Sequence, residues 1–120
     1  LEQSLTAEQI RAIAEGLSED QLALFDLINR DGLSKTDRER IKQASKDLLA
    51  GVLAVIAPLD RWTEKERAQA EVETFVLDQI YQTLPEPPYS PADKASLAQG
   101  VYRHIWQQSL RDRFSGNRWA

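Results

Sequence analysis

The side chains best suited to catalysis in this sequence are one histidine and a small group of carboxylates. His104 is the sole histidine among 120 residues, and there is no cysteine. A catalytic triad needs a base beside its nucleophile, and a zinc site needs several histidine or cysteine ligands. His104 falls inside a predicted helix between Arg103 and Ile105, with no serine at a suggestive spacing. We therefore interpret it as a structural residue.

The carboxylates Asp60, Glu64 and Glu66 lie close together in sequence, beside Lys65. Such a group could bind Mg²⁺ as in a nuclease. Acidic residues are equally typical of the first turn of a helix, where they face the positive end of its dipole, and we favour that interpretation. The glycine-rich loops that bind phosphates are missing, because the five glycines are scattered. The sequence predicts no catalytic residue, no metal site and no cofactor in this domain.

Basic side chains offer a different chemistry, which is pairing with the phosphates of DNA. Four of them recur every three or four residues and are called here the basic stripe: Lys35, Arg38, Lys42 and Lys46. On a helix they fall within about 80° of arc. We predict that they contact DNA phosphates. An ordinary solvated helix face is the alternative, since Asp37, Glu39 and Asp47 are interspersed among them.

A second basic group lies towards the C-terminus, at Arg103, Arg111 and Arg113. Cations near the end of a helix are favoured by its dipole without any ligand. Trp106 and Phe114 lie nearby in sequence, however, and arginine beside aromatic rings is typical of binding surfaces. We predict that these three arginines are a second set of DNA-binding residues.

Three aromatic residues are predicted to form a protein interface: Trp62, Tyr89 and Trp119. Trp119 is next to the last residue, too far along the chain to reach a core. Trp62 holds the position of a hydrophobic staple, but its usual partner is replaced by Arg67. A cation–π stack and a partner contact both remain open for Trp62. Tyr89 follows the stiff, proline-rich connection at 85–88.

Capping signals and apolar spacing divide the chain into five helices. Helix starts are indicated at Thr6 with Gln9, Ser18 with Gln21, Ser34 with Asp37 or Thr36 with Glu39, Thr63 with Glu66, and Ser90 with Pro91. The first helix carries Ile10 and Ile13 on its apolar side. No segment alternates as a strand would. We predict an all-α fold, an irregular bundle of about five helices around one hydrophobic core, as a single domain over residues 1–120 with a loose tail at 115–120.

Two glycines, Gly51 and Gly100, interrupt the predicted third and fifth helices. Each costs about 1 kcal/mol relative to alanine. We expect them to allow a close crossing of those two helices.

Composition sets broad limits on the protein class. The apolar share of 42% and the charged share of 28% are those of an ordinary globular domain. No apolar run approaches the roughly 18 residues of a membrane span. Without cysteine there can be no disulfide, and cysteine usage therefore does not indicate the compartment. A cytoplasmic location is the default expectation.

Four stretches of the chain, taken in order, resemble a known family: GLSEDQLALFDLI at 16–28, LSKTDRERIKQASKDLLA at 33–50, RWTEKERAQAEVETFVLDQIYQTLPEPPYS at 61–90 and VYRHIWQQ at 101–108. They are similar to the C-terminal region of the motor and restriction subunit of type I restriction-modification enzymes, particularly the type IC group. No single short motif is diagnostic, and the resemblance rests on the ordered set.

The resemblance implies a non-catalytic C-terminal fragment of an ATP-dependent type I deoxyribonuclease and translocase. The ATP and Mg²⁺ sites would belong to upstream domains. The implied partners are the methyltransferase and specificity core subunits, the upstream domains of the same chain and double-stranded DNA, with no membrane. The domain is expected to dock the motor onto the core and to contribute to DNA binding. A docking module without DNA contact is the alternative, and a regulatory nucleotide site is a third reading.

Overall fold

The computed structural model describes residues 5–110, which form five α-helices and one short 3₁₀ turn. The helices are α1 (Ala7–Glu15), α2 (Glu19–Ile28), α3 (Lys35–Ile56), α4 (Glu66–Thr83) and α5 (Pro91–Leu110), with the 3₁₀ turn at Trp62–Glu64. Within this range there is no strand, and the predicted all-α class is confirmed. Arg111, Arg113, Trp119 and the tail at 115–120 lie outside the described residues.

Four of these helices begin at a side-chain cap that the sequence predicts. In each case a hydroxyl oxygen accepts a hydrogen bond from the backbone N–H three residues later: Thr6, Ser18, Ser34 and Ser90. The caps of α1, α2 and α5 are reciprocal, because the third helical side chain also accepts from the cap backbone N–H. Such boxes satisfy donors that a helix start would otherwise leave unpaired. Helix starts are therefore fixed locally.

The start of α4 is the exception, and the predicted Thr63–Glu66 capping box is wrong. Thr63 lies inside the 3₁₀ turn, and α4 begins at Glu66 after Lys65, which makes no side-chain cap. The carbonyl of Thr63 instead accepts a hydrogen bond from Gln69 Nε2 at 2.8 Å. Trp62, the first residue of the 3₁₀ turn, is buried against α5, so a tertiary contact rather than a local cap holds the chain before α4.

The core lies between helices α2 to α5, each of which packs against the next along the chain, and α5 also packs against α2. Helix α3 packs against α2 and α4, and α5 packs against both α4 and α2. On α4 the buried side chains recur at four-residue steps, at Val72, Val76 and Ile80. Burying such side chains supplies about 1.5–3 kcal/mol each before the loss of chain entropy is counted. The apolar periodicity therefore decides which face of each helix points inward.

The expected role of the two glycines is only half right. A Cβ on Gly51 would come within 2.2 Å of the Phe75 ring, so Gly51 does allow a close approach, but to α4 rather than to α5. A Cβ on Gly100 would meet no atom within 4 Å in the described part of the chain. Gly100 therefore weakens α5 without serving a helix crossing.

Alanine substitutions at the two glycines are expected to have opposite effects on stability. Gly100→Ala gains helix propensity and should raise the free energy of unfolding by up to about 1 kcal/mol. Gly51→Ala gains the same propensity but displaces the Phe75 ring, and overpacking of this kind costs about 1–3 kcal/mol, so a net loss is expected. Urea titration of both variants measures the difference. Equal stabilisation by both substitutions would contradict the Gly51–Phe75 contact.

Candidate functional site

The basic stripe lies along one edge of α3, and an acid from α1 occupies its middle. The side chains of Arg38 and Lys42 both bind the carboxylate of Glu15. Arg38 Nη2 donates to Glu15 Oε2, and Lys42 Nζ lies 2.7 Å from Glu15 Oε1. Glu39 adds a contact to Lys42 at 3.2 Å. The two central cations of the stripe are therefore already paired.

The turn after α1 brings Glu15 to this position. Glu15 is the last residue of α1, and Gly16 follows in the left-handed conformation with φ 74°, which a glycine adopts without strain. Leu17 is then buried in the core, which fixes the turn. Arg38 is held from its other side as well, because its guanidinium lies 5.1 Å from the centre of the Phe25 ring.

The ion pairs shift the titration of both Lys42 and Glu15. Hydrogen bonds from Lys42 and Arg38 lower the pKa of Glu15, although partial burial acts in the opposite direction. The hydrogen bond to Glu15 raises the pKa of Lys42. A carboxyl group whose pKa is lower in the folded than in the unfolded state stabilises the fold above its ordinary pKa. That contribution is lost as the pH falls through the folded-state pKa.

Glu15→Gln is expected to reduce stability at neutral pH but not in acid. At pH 7 the loss of both ion pairs should lower the free energy of unfolding by about 1 kcal/mol, the upper end for partly exposed pairs. The gap to the wild type should close as the pH falls below the ordinary glutamate pKa of about 4.3, because the wild-type carboxylate then becomes protonated. Glu8→Gln is the control, since Glu8 is on the same helix but forms no ion pair within residues 5–110. A gap that does not depend on pH would contradict this account.

The outer members of the basic stripe are differently placed. Lys35 is exposed at the first position of α3 and Lys46 is half-buried, and neither forms an ion pair with another described residue.

Of the second basic group, only Arg103 lies in the described part of the chain. It is exposed on α5, away from the stripe, and lines a cavity of about 390 Å³ with Glu73, Gln99, Tyr102 and Trp106. The two predicted DNA-binding sets are therefore not brought together by the described helices.

Trp62 is a core residue, which corrects its assignment to a protein interface. Only 2% of its surface is exposed. Its ring packs edge-on against Tyr102 and Trp106, with centroid distances of 6.0 and 5.8 Å, and its Nε1 donates to Ser109 Oγ at 3.1 Å. Among the described residues the Trp62 ring contacts α5, and the cation–π stack left open for it with Arg67 is not formed. Because the partners lie about 40 residues further along the chain, local sequence does not reveal them.

Tyr89 is likewise buried, with 0% exposure, so its predicted interface role is also wrong. Its hydroxyl donates to the carbonyl of Ile28 at 2.7 Å, which satisfies a group at the C-terminus of α2. The guanidinium of Arg30 covers the ring at 4.4 Å, and Arg30 also pairs with Asp93 at 3.3 Å. Burial raises the pKa of the Tyr89 hydroxyl. Tyr89 therefore ties the proline-rich connection to α2.

Removing the Tyr89 hydroxyl is expected to destabilise the domain. Tyr89→Phe leaves the Ile28 carbonyl without its donor in the core, which costs about 1–3 kcal/mol. Tyr81→Phe is a matched control, because the Tyr81 hydroxyl donates to the carbonyl of Pro91 at an exposed position. Its effect should stay within about 0.5 kcal/mol. Thermal unfolding of the two variants measures the contrast, and equal melting temperatures would contradict the buried bond.

The structure shows an exposed apolar surface on α1, formed in part by residues that the sequence places on the apolar side of the first helix. Ile10 is 53% exposed and Ile13 68% exposed, whereas Ala12 is the buried residue of α1. Leu5, just before the helix, is exposed as well. We call Leu5, Ile10 and Ile13 the α1 apolar surface. Arg11 pairs with Asp26 of α2 at 2.9 Å, and α1 places Ala12 against the core while its larger apolar side chains face outward.

The carboxylates at Asp60, Glu64 and Glu66 are spread along the surface before and at the start of α4. Asp60 is exposed at the turn that precedes Trp62, Glu64 is exposed within the 3₁₀ turn, and Glu66 is the exposed first residue of α4. No group of three or more histidine or acidic side chains within residues 5–110 is placed to hold a metal ion. In the same range, no helix is both long enough and apolar enough to cross a membrane.

Comparison with known proteins gives no assignment. No protein-family model, no curated protein and no solved structure matches this chain.

Proposed function

We propose that this chain is a non-catalytic helical domain of a type I restriction motor subunit, which docks that subunit onto the methyltransferase core. The family part of the proposal rests on the four ordered stretches of sequence similarity. The docking part rests on one structural observation, the α1 apolar surface. The ATP-dependent and nucleolytic steps would belong to other domains of the same subunit.

The α1 apolar surface supports docking because its apolar side chains are exposed and clustered. Ile10 and Ile13 lie one helical turn apart, so they present a single patch on the same side of α1. Single exposed apolar residues are common, but neighbouring isoleucines with half or more of their surface in water are a less usual arrangement. Burying the two side chains against a partner would contribute to binding in proportion to the area removed from water.

Contact with DNA is the second part of the proposed role, through the basic stripe and Arg103. Lys35, Lys46 and Arg103 have no ion-pair partner among the described residues and could pair with phosphates directly. The pairing of Arg38 and Lys42 with Glu15 favours the alternative, a docking module without DNA contact. Charge reversal at Lys35, Lys46 and Arg103 separates the two roles, because it leaves the α1 apolar surface intact. Unchanged DNA affinity of the assembled enzyme, with the same salt dependence, would then support the alternative.

The docking role is tested by placing charges on the α1 apolar surface in the full-length subunit. The double variant Ile10→Glu/Ile13→Glu should lower affinity for the methyltransferase core at least about tenfold, because charged side chains would be buried at the contact. The ATPase activity of the isolated subunit should be unchanged. Analytical ultracentrifugation of mixtures measures assembly.

Leu77→Glu is the matched control, since Leu77 is an exposed apolar residue on α4. It should leave assembly unaffected. Normal assembly of the Ile10/Ile13 variant would remove the α1 apolar surface from the docking interface. Equal loss of assembly in the variant and the control would point to general damage rather than to a specific contact.

A further inference from the structure

Arg38 and Lys42 hold a carboxylate in the way in which they would hold a phosphate. The two oxygens of Glu15 are divided between them, Oε2 to the guanidinium and Oε1 to the ammonium. A guanidinium and an ammonium together are a common partner for oxyanions, because both donate charge-assisted hydrogen bonds. The two cations thus already bind an oxyanion, and that oxyanion is the Glu15 carboxylate of the same chain.

We infer that the Arg38–Lys42 pair is an oxyanion site for a DNA phosphate, and that Glu15 fills it until a phosphate takes its place. The inference rests on the DNA-contact part of the proposed function and adds how that contact is controlled. Glu15 lowers the DNA affinity of the free domain because it competes for the two central cations of the basic stripe.

The surroundings of Glu15 allow such an exchange. Its side chain is 22% exposed, so another anion can approach the two cations from the solvent. Helix α1 packs against α2. Among the described residues, the side-chain carboxylate of Glu15 at the end of α1 is bound only by Arg38 and Lys42. Arg38 would stay in position after the exchange, because the Phe25 ring supports its guanidinium. The site would therefore remain formed when Glu15 leaves it.

The flanking residues extend the site along a nucleic acid. Lys35 lies three residues before Arg38, and Lys46 lies four residues after Lys42. The stripe thus spans twelve helical residues, and the eleven steps of 1.5 Å between its ends make it about 16.5 Å long. Phosphates along one DNA strand are about 3.4 Å apart along the axis, so the stripe can meet several of them. With Glu15 in place, the members of the basic stripe that form no ion pair within the described residues are its two ends, Lys35 and Lys46.

The test compares Glu15→Gln with Glu8→Gln in the 120-residue chain. Both variants gain one unit of net charge on the same helix, but only Glu15→Gln removes the competitor. Fluorescence anisotropy with a labelled duplex of about 20 base pairs measures affinity between 50 and 200 mM salt. Glu15→Gln is expected to bind on the order of tenfold more tightly than the wild type at low salt. Its plot of log affinity against log salt should be steeper by about 0.9 to 1.8, because Arg38 gains a phosphate contact and Lys42 gains one where phosphate also displaces Glu39.

A third variant separates competition from loosening of the helix. In Glu15→Gln/Arg38→Gln the competitor and one of the two cations are both gone, so most of the gain in affinity should disappear. If instead the gain came from a loosened α1, it would persist in the double variant, and the inference would be overturned. Thermal unfolding of each variant shows that the compared chains are folded.

The remaining outcomes also decide between the proposals. If the wild type binds DNA in a salt-dependent way and Glu15→Gln binds no better than Glu8→Gln, the inference is wrong and the DNA contact stands. If the folded wild type and both single variants all fail to bind, the DNA contact itself is wrong and the inference falls with it. Docking through the α1 apolar surface is unaffected by either result.

Discussion

The architecture of this domain depends on the burial of α4 between two neighbours. Helix α4 packs against α3 on one side and α5 on the other, and its apolar residues Val72, Val76 and Ile80 are fully enclosed. Gly51 on α3 permits this arrangement, since the Phe75 ring of α4 lies where a larger side chain would project. The 3₁₀ turn before α4 adds Trp62 to the aromatic contact with α5. Because α3 and α5 each use one face to cover α4, this packing determines which of their other faces are exposed to solvent.

Local features of the fold could be predicted from sequence because their causes are local. The caps at Thr6, Ser18 and Ser90 involve residues three positions apart, so their chemistry is visible in a short window. The helical class and the inward faces of the long helices follow from apolar spacing for the same reason. The start of α4 could not be predicted in this way, because the burial of Trp62 against α5 overrides a correct-looking local cap.

The candidate site was less predictable than the fold because its decisive contacts are distant in sequence. The basic stripe is a local pattern, and its four residues do share an edge of α3. Its pairing with Glu15 joins residues 23 positions apart, and the hydroxyl bond of Tyr89 to Ile28 joins residues 61 positions apart. A sequence with 15 basic and 19 acidic side chains allows very many such pairings. The packing of α1 and of the segment before α5 determines which of these pairings form.

The two proposals meet on α1, and this has a thermodynamic consequence. The helix that exposes Ile10 and Ile13 ends in the carboxylate that pairs with Arg38 and Lys42. A partner bound to the α1 apolar surface would contact the same nine-residue helix that DNA must displace at its last residue. If docking changes the position of Glu15, it changes DNA affinity by some factor, and linkage requires that DNA change docking affinity by the same factor. Such coupling would run through helix α1 and the ion pairs of Glu15 with Arg38 and Lys42. The Glu15→Gln variant should therefore abolish the coupling, while the chain still binds both the partner and DNA.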